Sequence, residues 1–148
     1  VTDPTHDPFD LDRFVAAQDG VHERAVAELA GGQKRSHWMW FVLPQLAGLG
    51  RSATARRYAL SGLEEARAYL AHPVLGPRLL RVTATVLDAP APSAEALFGG
   101  IDAVKARSSM TLFARAADDP SPFVAVLDRW SGGAEDPETL RLLGLQAR

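Results

Sequence analysis

One stretch limits the possible folds more than any other: Asp102–Ala117, DAVKARSSMTLFARAA. At about 100° per residue, Ile101, Val104, Ser108 and Leu112 share one face of a helix, and Ala103, Ala106, Met110, Phe113 and Ala117 share a broad neighbouring face. A helix apolar over most of its circumference must be surrounded by protein. The spacing therefore predicts a central helix, capped by Asp102, with the rest of the chain packed around it.

The remaining sequence supplies suitable neighbours. Alanine, leucine and arginine are abundant, consecutive β-branched residues are scarce, and no segment alternates as a half-buried strand does. Asp10 can cap a short helix carrying Leu11, Phe14 and Val15, and a second helix over Val21–Ala30 ends at Gly31–Gly32. Ser52 opens a helical turn. Ser61 and Glu64 form the capping pattern S-x-x-E for a helix to about Ala71. His72 and Pro73 start a helix that carries Val74, Leu75, Leu79, Val82, Val86 and Leu87. After the loop Asp88–Ser93, a short helix ends at Gly99–Gly100. Beyond the central helix, Ser121–Pro122 and Asp136–Pro137 open two more, stopped at Gly132–Gly133 and Gly144. The expected fold is all-α: one multi-helix domain over residues 10–148, with about seven or eight helices, several of them short. Pro4 and Pro8 make residues 1–9 a flexible N-terminal arm.

At 148 residues the chain fits one domain and buries roughly 70% of its unfolded surface. It needs no staple, and with no cysteine it has neither a disulfide nor a thiol nucleophile nor a zinc–thiolate site. The balance of 16 basic against 18 acidic residues gives no strong nucleic-acid signal. No apolar run approaches a membrane span, and the acidic start VTDPTHDPFD is no secretory signal, so a cytoplasmic location is expected. No HExxH, paired-histidine or carboxylate cluster suggests a metal, and the sequence leaves any cofactor unknown.

Two stretches could carry chemistry. The first, KRSHWMWFVLPQ, places Lys34, Arg35, Ser36, His37, Trp38 and Trp40 together after a Gly-Gly break. Read as a helix, it puts His37 on one face with Trp40 and Phe41, and Trp38 nearly opposite. Phe41, Val42 and Leu43 read as core. Free N–H groups at such a helix start, joined by two cations, would attract an anion. An indole beside them could stack a flat ring. The competing reading is an aromatic core plug with a solvated basic turn. The second stretch lies in the central helix, where Lys105 and Ser109, and Arg107 and Thr111, are i, i+4 neighbours. Lys105 and Arg107 could bind phosphate, and the Ser109–Lys105 spacing is that of a nucleophile pair. The plainer reading has Ser108 and Ser109 as small packing residues bonded back to carbonyls. His22 reads as solvated and His72 as a cap. GLGRSATARR lacks the G-K-[ST] of a phosphate loop.

KRSHWMWFVLPQLAGLGRS, followed by ARRYAL, AYLAHPVLGPRLL and KARSSMTLF, resembles the bacterial domain of unknown function 1810 family from about Phe9 to Gly144. These are uncharacterised all-helical proteins, sometimes labelled calpastatin. The resemblance implies an all-helical single domain and no established activity. A true calpastatin is a long disordered inhibitor, whereas this composition is that of a folded domain. AYLAHPVLGPRLL, a helix and LFGG are also similar in layout to NADAR-type proteins, which act on ADP-ribose-linked substrates. The tryptophan–glycine and glycine–asparagine motifs of that group are not matched, and no catalytic residue carries over.

The expected site follows: an anionic small molecule, phosphorylated or nucleotide-like, held by Lys34, Arg35, Ser36, Trp38 and Trp40 with Lys105, Arg107, Ser108 and Ser109 facing them. His37 would be its proton donor or acceptor. The alternatives are a non-catalytic protein-interaction module and a NADAR-like hydrolase.

Overall fold

The computed structural model describes residues 6–148, and among them it is all-helical. The ten helices are α1 (Asp12–Gln18), α2 (His22–Ala30), α3 (Met39–Val42), α4 (Ala53–Arg57), α5 (Leu63–Ala71), α6 (Leu75–Asp88), α7 (Ala94–Phe98), α8 (Gly100–Ala116), α9 (Ser121–Ser131) and α10 (Pro137–Leu143). The excess over seven or eight comes from α3, α4 and α7, each of four or five residues. Pieces that short contain too little periodicity to be counted from sequence.

The predicted central helix is α8. It packs against α5, α7, α9 and α10, and every residue from Ser108 to Ala114 is buried. A second layer is built on α6, which lies against α2, α5 and α9. Between them runs a chain of rings: Phe14 meets Tyr69 edge-on at 5.2 Å, Tyr69 meets Phe113 at 5.4 Å, and Phe113 meets Phe123 at 5.8 Å. Tilted and edge-on contacts of this kind add to the burial of the rings themselves. Gln18 bonds the Tyr69 hydroxyl and the Phe41 carbonyl, so the polar ends of this core are satisfied.

The helix starts read at Ser52, His72 and Asp136 are capped by those side chains, and Ser93, at the end of its loop, caps α7. Others are displaced. Asp7, not Asp10, takes the backbone N–H groups of Leu11 and Asp12, while Asp10 sits at φ 52°. Glu65, not Glu64, reaches back to the Ser61 amide and hydroxyl. Glu65 is also buried against Arg13, whose guanidinium binds the Arg57 and Ala59 carbonyls. Asp102 lies inside α8, which starts two residues earlier. Of the expected arm, residues 1–5 lie outside the described residues, whereas Phe9 packs on the core. His22 is buried, not solvated: desolvation first, and the Arg78 guanidinium next, push its pKa down.

The α5–α6 corner depends on a close approach. A Cβ at Gly76 would lie 2.2 Å from the Leu70 carbonyl oxygen. Gly76→Ala should therefore force the two helices apart and cost about 1–3 kcal/mol. Urea denaturation checks this, and an unchanged midpoint would show that the corner yields freely.

Candidate functional site

The conspicuous stretch is not a helix through Trp40. Residues 33–38 run irregularly from the end of α2 to α3, which begins only at Met39. The reason is a carboxylate. Glu28, in the last turns of α2, accepts the backbone N–H groups of Arg35 (2.7 Å) and Ser36 (2.9 Å) and the Trp38 indole N–H (2.9 Å) on one oxygen. Its other oxygen takes the Ser36 hydroxyl. The turn that the sequence offers to an anion is thus filled by the protein's own carboxylate. Burial works against the charge. The Ser36 hydroxyl, the two amides and the indole outweigh it and hold the Glu28 pKa down to about 2.

This arrangement decides where each side chain of the stretch goes. Trp38 is fully buried, so the inward indole is the one tied to Glu28. Lys34 lies over the Trp38 ring at 4.9 Å and pairs with Asp102 of α8 at 2.9 Å. Its amide donates to the Leu97 carbonyl. Arg35 and His37 are exposed, and Trp40 is half-buried with the Lys105 ammonium 5.3 Å from its ring centre. Lys105 also faces the second oxygen of Asp102 at 3.8 Å. The two stretches do converge, as their composition suggests, but through Asp102, which the sequence reading treats only as a cap. The signal was its position on the Lys105 face, three residues earlier.

The other residues of α8 divide. Arg107 points away from Lys105 and binds the Ala134 and Glu135 carbonyls. Ser108 donates back to the Val104 carbonyl, and Thr111 does the same to Arg107 while accepting the Asp136 amide. Ser109 is fully buried, and its hydroxyl has no hydrogen-bond partner among the described residues. No group of three or more His, Asp or Glu among the described residues is placed to hold a metal.

What periodicity does not foresee is the surface of the first two turns of α8. Ile101 is 76% exposed and Val104 60% exposed. They form a ridge, with Lys105 and Trp40 on one flank. On the other, Val104, Ala103, Arg107, Ala94 and Trp130 line a cleft of about 260 Å³. Trp130 is fixed there by its N–H bond to the Val86 carbonyl (2.8 Å) and by Arg129 stacked 3.9 Å from the ring centre. An apolar ridge between two cation-flanked indoles has the composition of a contact surface, where tryptophan and arginine are enriched. Two larger clefts, of about 480 and 460 Å³, lie elsewhere, around Leu80 and Phe123 and around Leu46 and Leu142. None of the residues picked from the sequence lines either one.

Residues 8–143 match a protein family described as "Protein of unknown function (DUF1810)". The chain is similar to the conserved hypothetical protein Rv1873 from Mycobacterium tuberculosis, known from a crystal structure. The two are 54% identical, with a TM-score of 0.91 over 95% of this chain and all of that one. No curated protein matches. Among the described residues no helix is long and apolar enough to cross a membrane.

Two outcomes test the Glu28 anchor. Trp38→Ala should cost roughly 3–5 kcal/mol, and Trp40→Ala distinctly less because that ring is only half-buried. Glu28→Gln should cost about 2–3 kcal/mol at pH 7, the scale of hydrogen bonds to a charged group. The Glu28 pKa lies below its ordinary 4.5 in the folded protein, so this stability is complete above pH 4.5 and drains as the pH falls towards about 2. Denaturation curves of wild type and Glu28→Gln should therefore converge between those values. A gap independent of pH would mean that the charge is not what holds the turn.

Proposed function

Because the chain belongs to the DUF1810 family, described only as of unknown function, we propose its role from geometry alone: a non-catalytic interaction module that meets its partner on the α8 ridge. The observation that carries this reading is the exposure of Ile101 and Val104 on a helix otherwise built into the core. Adjacent exposed aliphatic side chains flanked by indoles and cations are what a partner covers. The polar groups of the neighbouring stretch support the same reading. Glu28, Ser36, Trp38, Lys34 and Asp102 bond one another, which suits a scaffold that positions a surface.

A photo-crosslinking residue placed at Ile101 should give discrete adducts in cells of the organism of origin, and one at exposed Arg67 on a different face should not. Val104→Asp should abolish the adducts. A change at so exposed a side chain shifts stability by no more than about 0.5 kcal/mol, so unfolding would not account for the loss. Adducts equal from both positions, or none from Ile101, would end the proposal.

A second reading is favoured by the Trp40 flank. Lys34 and Lys105 share the Asp102 carboxylate, Lys105 lies against half-buried Trp40, and exposed Arg35 follows in the turn whose amides Glu28 holds. A phosphorylated or nucleotide-like ligand, ADP-ribose-linked ones included, would lay its ring on Trp40 and its phosphate against Arg35 and Lys105. Exposed His37 would serve as proton donor or acceptor if that ligand is turned over. Thermal shift against nucleotides, ADP-ribose and sugar phosphates decides this. A ligand at 100 times its Kd stabilises the fold by about 2.7 kcal/mol, and Arg35→Ala with Lys105→Ala should remove the effect. Stabilisation indifferent to both substitutions would count against this flank.

A further inference from the structure

The cleft beside the ridge contains a cation that the fold does not neutralise. Arg107 is half-buried, and its Nε and Nη2 donate to the backbone carbonyls of Ala134 (2.9 Å) and Glu135 (2.6 Å). The Glu135 carboxylate is gripped by Arg115 at 2.6 and 2.8 Å rather than by Arg107. Among the described residues no carboxylate lies within 4.0 Å of Arg107. Arg13 and Arg115, which like Arg107 are partly buried, each hold a glutamate. Of the five N–H groups of Arg107, three remain unspent.

Around this cation apolar walls alternate with polar groups, Ser131 among them. Ala103 and Val104 form its α8 side, Ala94 comes from α7, and Trp130 stands at the end of α9, locked by Val86 and Arg129. One acidic group, Glu95, also lines it. A cleft with one guanidinium, one acidic group and walls that are only partly apolar disfavours polyanions such as phosphate esters. It suits a single carboxylate attached to an apolar body with a nitrogen donor nearby. The planar guanidinium matches a carboxylate in shape as well as charge. Val104 lines the cleft and exposed Ile101 lies one turn before it on α8, so apolar surface continues beyond the cleft.

We infer that the cleft receives the C-terminal end of a polypeptide whose last residue is apolar. The terminal carboxylate lies on the free N–H groups of Arg107, and the last side chain lies against Trp130, Ala94 and Ala103. The last peptide N–H faces Glu95, and the preceding residues cross Val104 and Ile101. This is capture of a chain terminus by a prepared cation, and it names the partner chemistry for the ridge proposed above as the contact face.

The test uses the ¹⁵N-labelled protein and three acetylated pentapeptides, Gly-Ser-Ala-Leu followed by Leu, Val or Phe, each with a free carboxylate or a terminal amide. The three tryptophan indole signals are the readout, since Trp130 lines the cleft, Trp40 the other flank and Trp38 the core. At least one free-carboxylate peptide should move the Trp130 signal and leave Trp38 unmoved. Its amide should bind about tenfold more weakly, as loss of a charge-assisted pair requires. Val104→Asp should weaken it by about tenfold or more by placing a carboxylate beside Arg107, and that variant should keep its melting temperature. No movement of Trp130 by any peptide at about 5 mM, well above a millimolar Kd, would overturn the inference. So would amides that bind as well as acids, or free leucine that binds as well as the peptide. Cross-links from Ile101 that persist without peptide binding would leave the ridge as a contact face and remove only the chain-end assignment. Loss of both would remove both.

Discussion

A single carboxylate organises the half of the molecule that the sequence makes conspicuous. Glu28 stands near the end of α2, just before the chain leaves helical geometry, and it collects two backbone amides, a hydroxyl and an indole N–H. An ionised group accepts hydrogen bonds about twice as strong as a neutral one does, and these bonds fix the irregular segment after α2. With Trp38 turned inward by that bond, Lys34 is carried over the ring and onto Asp102. The N-terminal part of the chain is thereby fastened to α8. Remove the carboxylate and four donors lose their partner at once.

Along α8 the environment changes in the space of two turns. From Ser108 to Ala114 the helix is enclosed by α5, α9 and α10; the Ser108 and Thr111 hydroxyls return to its own carbonyls, Thr111 also accepts the Asp136 amide, and the Ser109 hydroxyl is left without a partner among the described residues. Before Ser108 the enclosure is one-sided. Lys105 leans on Trp40, Arg107 is drawn to the loop before α10, and Ile101 and Val104 stand free between them. A helix anchored in the core at one end and exposed at the other presents its surface on a rigid mount. Such a mount lowers the ordering cost of binding.

Much of the fold is written locally. The caps at Ser52, His72, Ser93 and Asp136 are short-range chemistry, and so are the glycine stops after α9 and α10, both left-handed. The candidate site was legible only in part. The meeting of the Lys34–Trp40 and Lys105 stretches could be anticipated because both mix cations with apolar surroundings. Arg107 could not be separated from Lys105, since two cations two residues apart look equivalent until the loop at Ala134 claims one of them. Trp130 lies near the end of the helix opened by Ser121–Pro122, and its role as a cleft wall depends on α7 and α8 beside it.

The sequence by itself determined that the chain is all-helical, that Phe14, Leu29, Leu79 and Phe113 lie inside, and that the Asp102–Ala117 segment is the central helix. These follow from periodicity and capping, which act over four residues or fewer. Only the tertiary structure decided that the KRS turn grips Glu28, that Trp38 rather than Trp40 is the buried indole, and that Ile101 and Val104 remain uncovered. Such outcomes depend on which distant group reaches a donor or a face first. A carboxylate seven residues back along the chain, or a helix that stops short of covering a neighbour, leaves no mark in the periodicity of the segment it acts on.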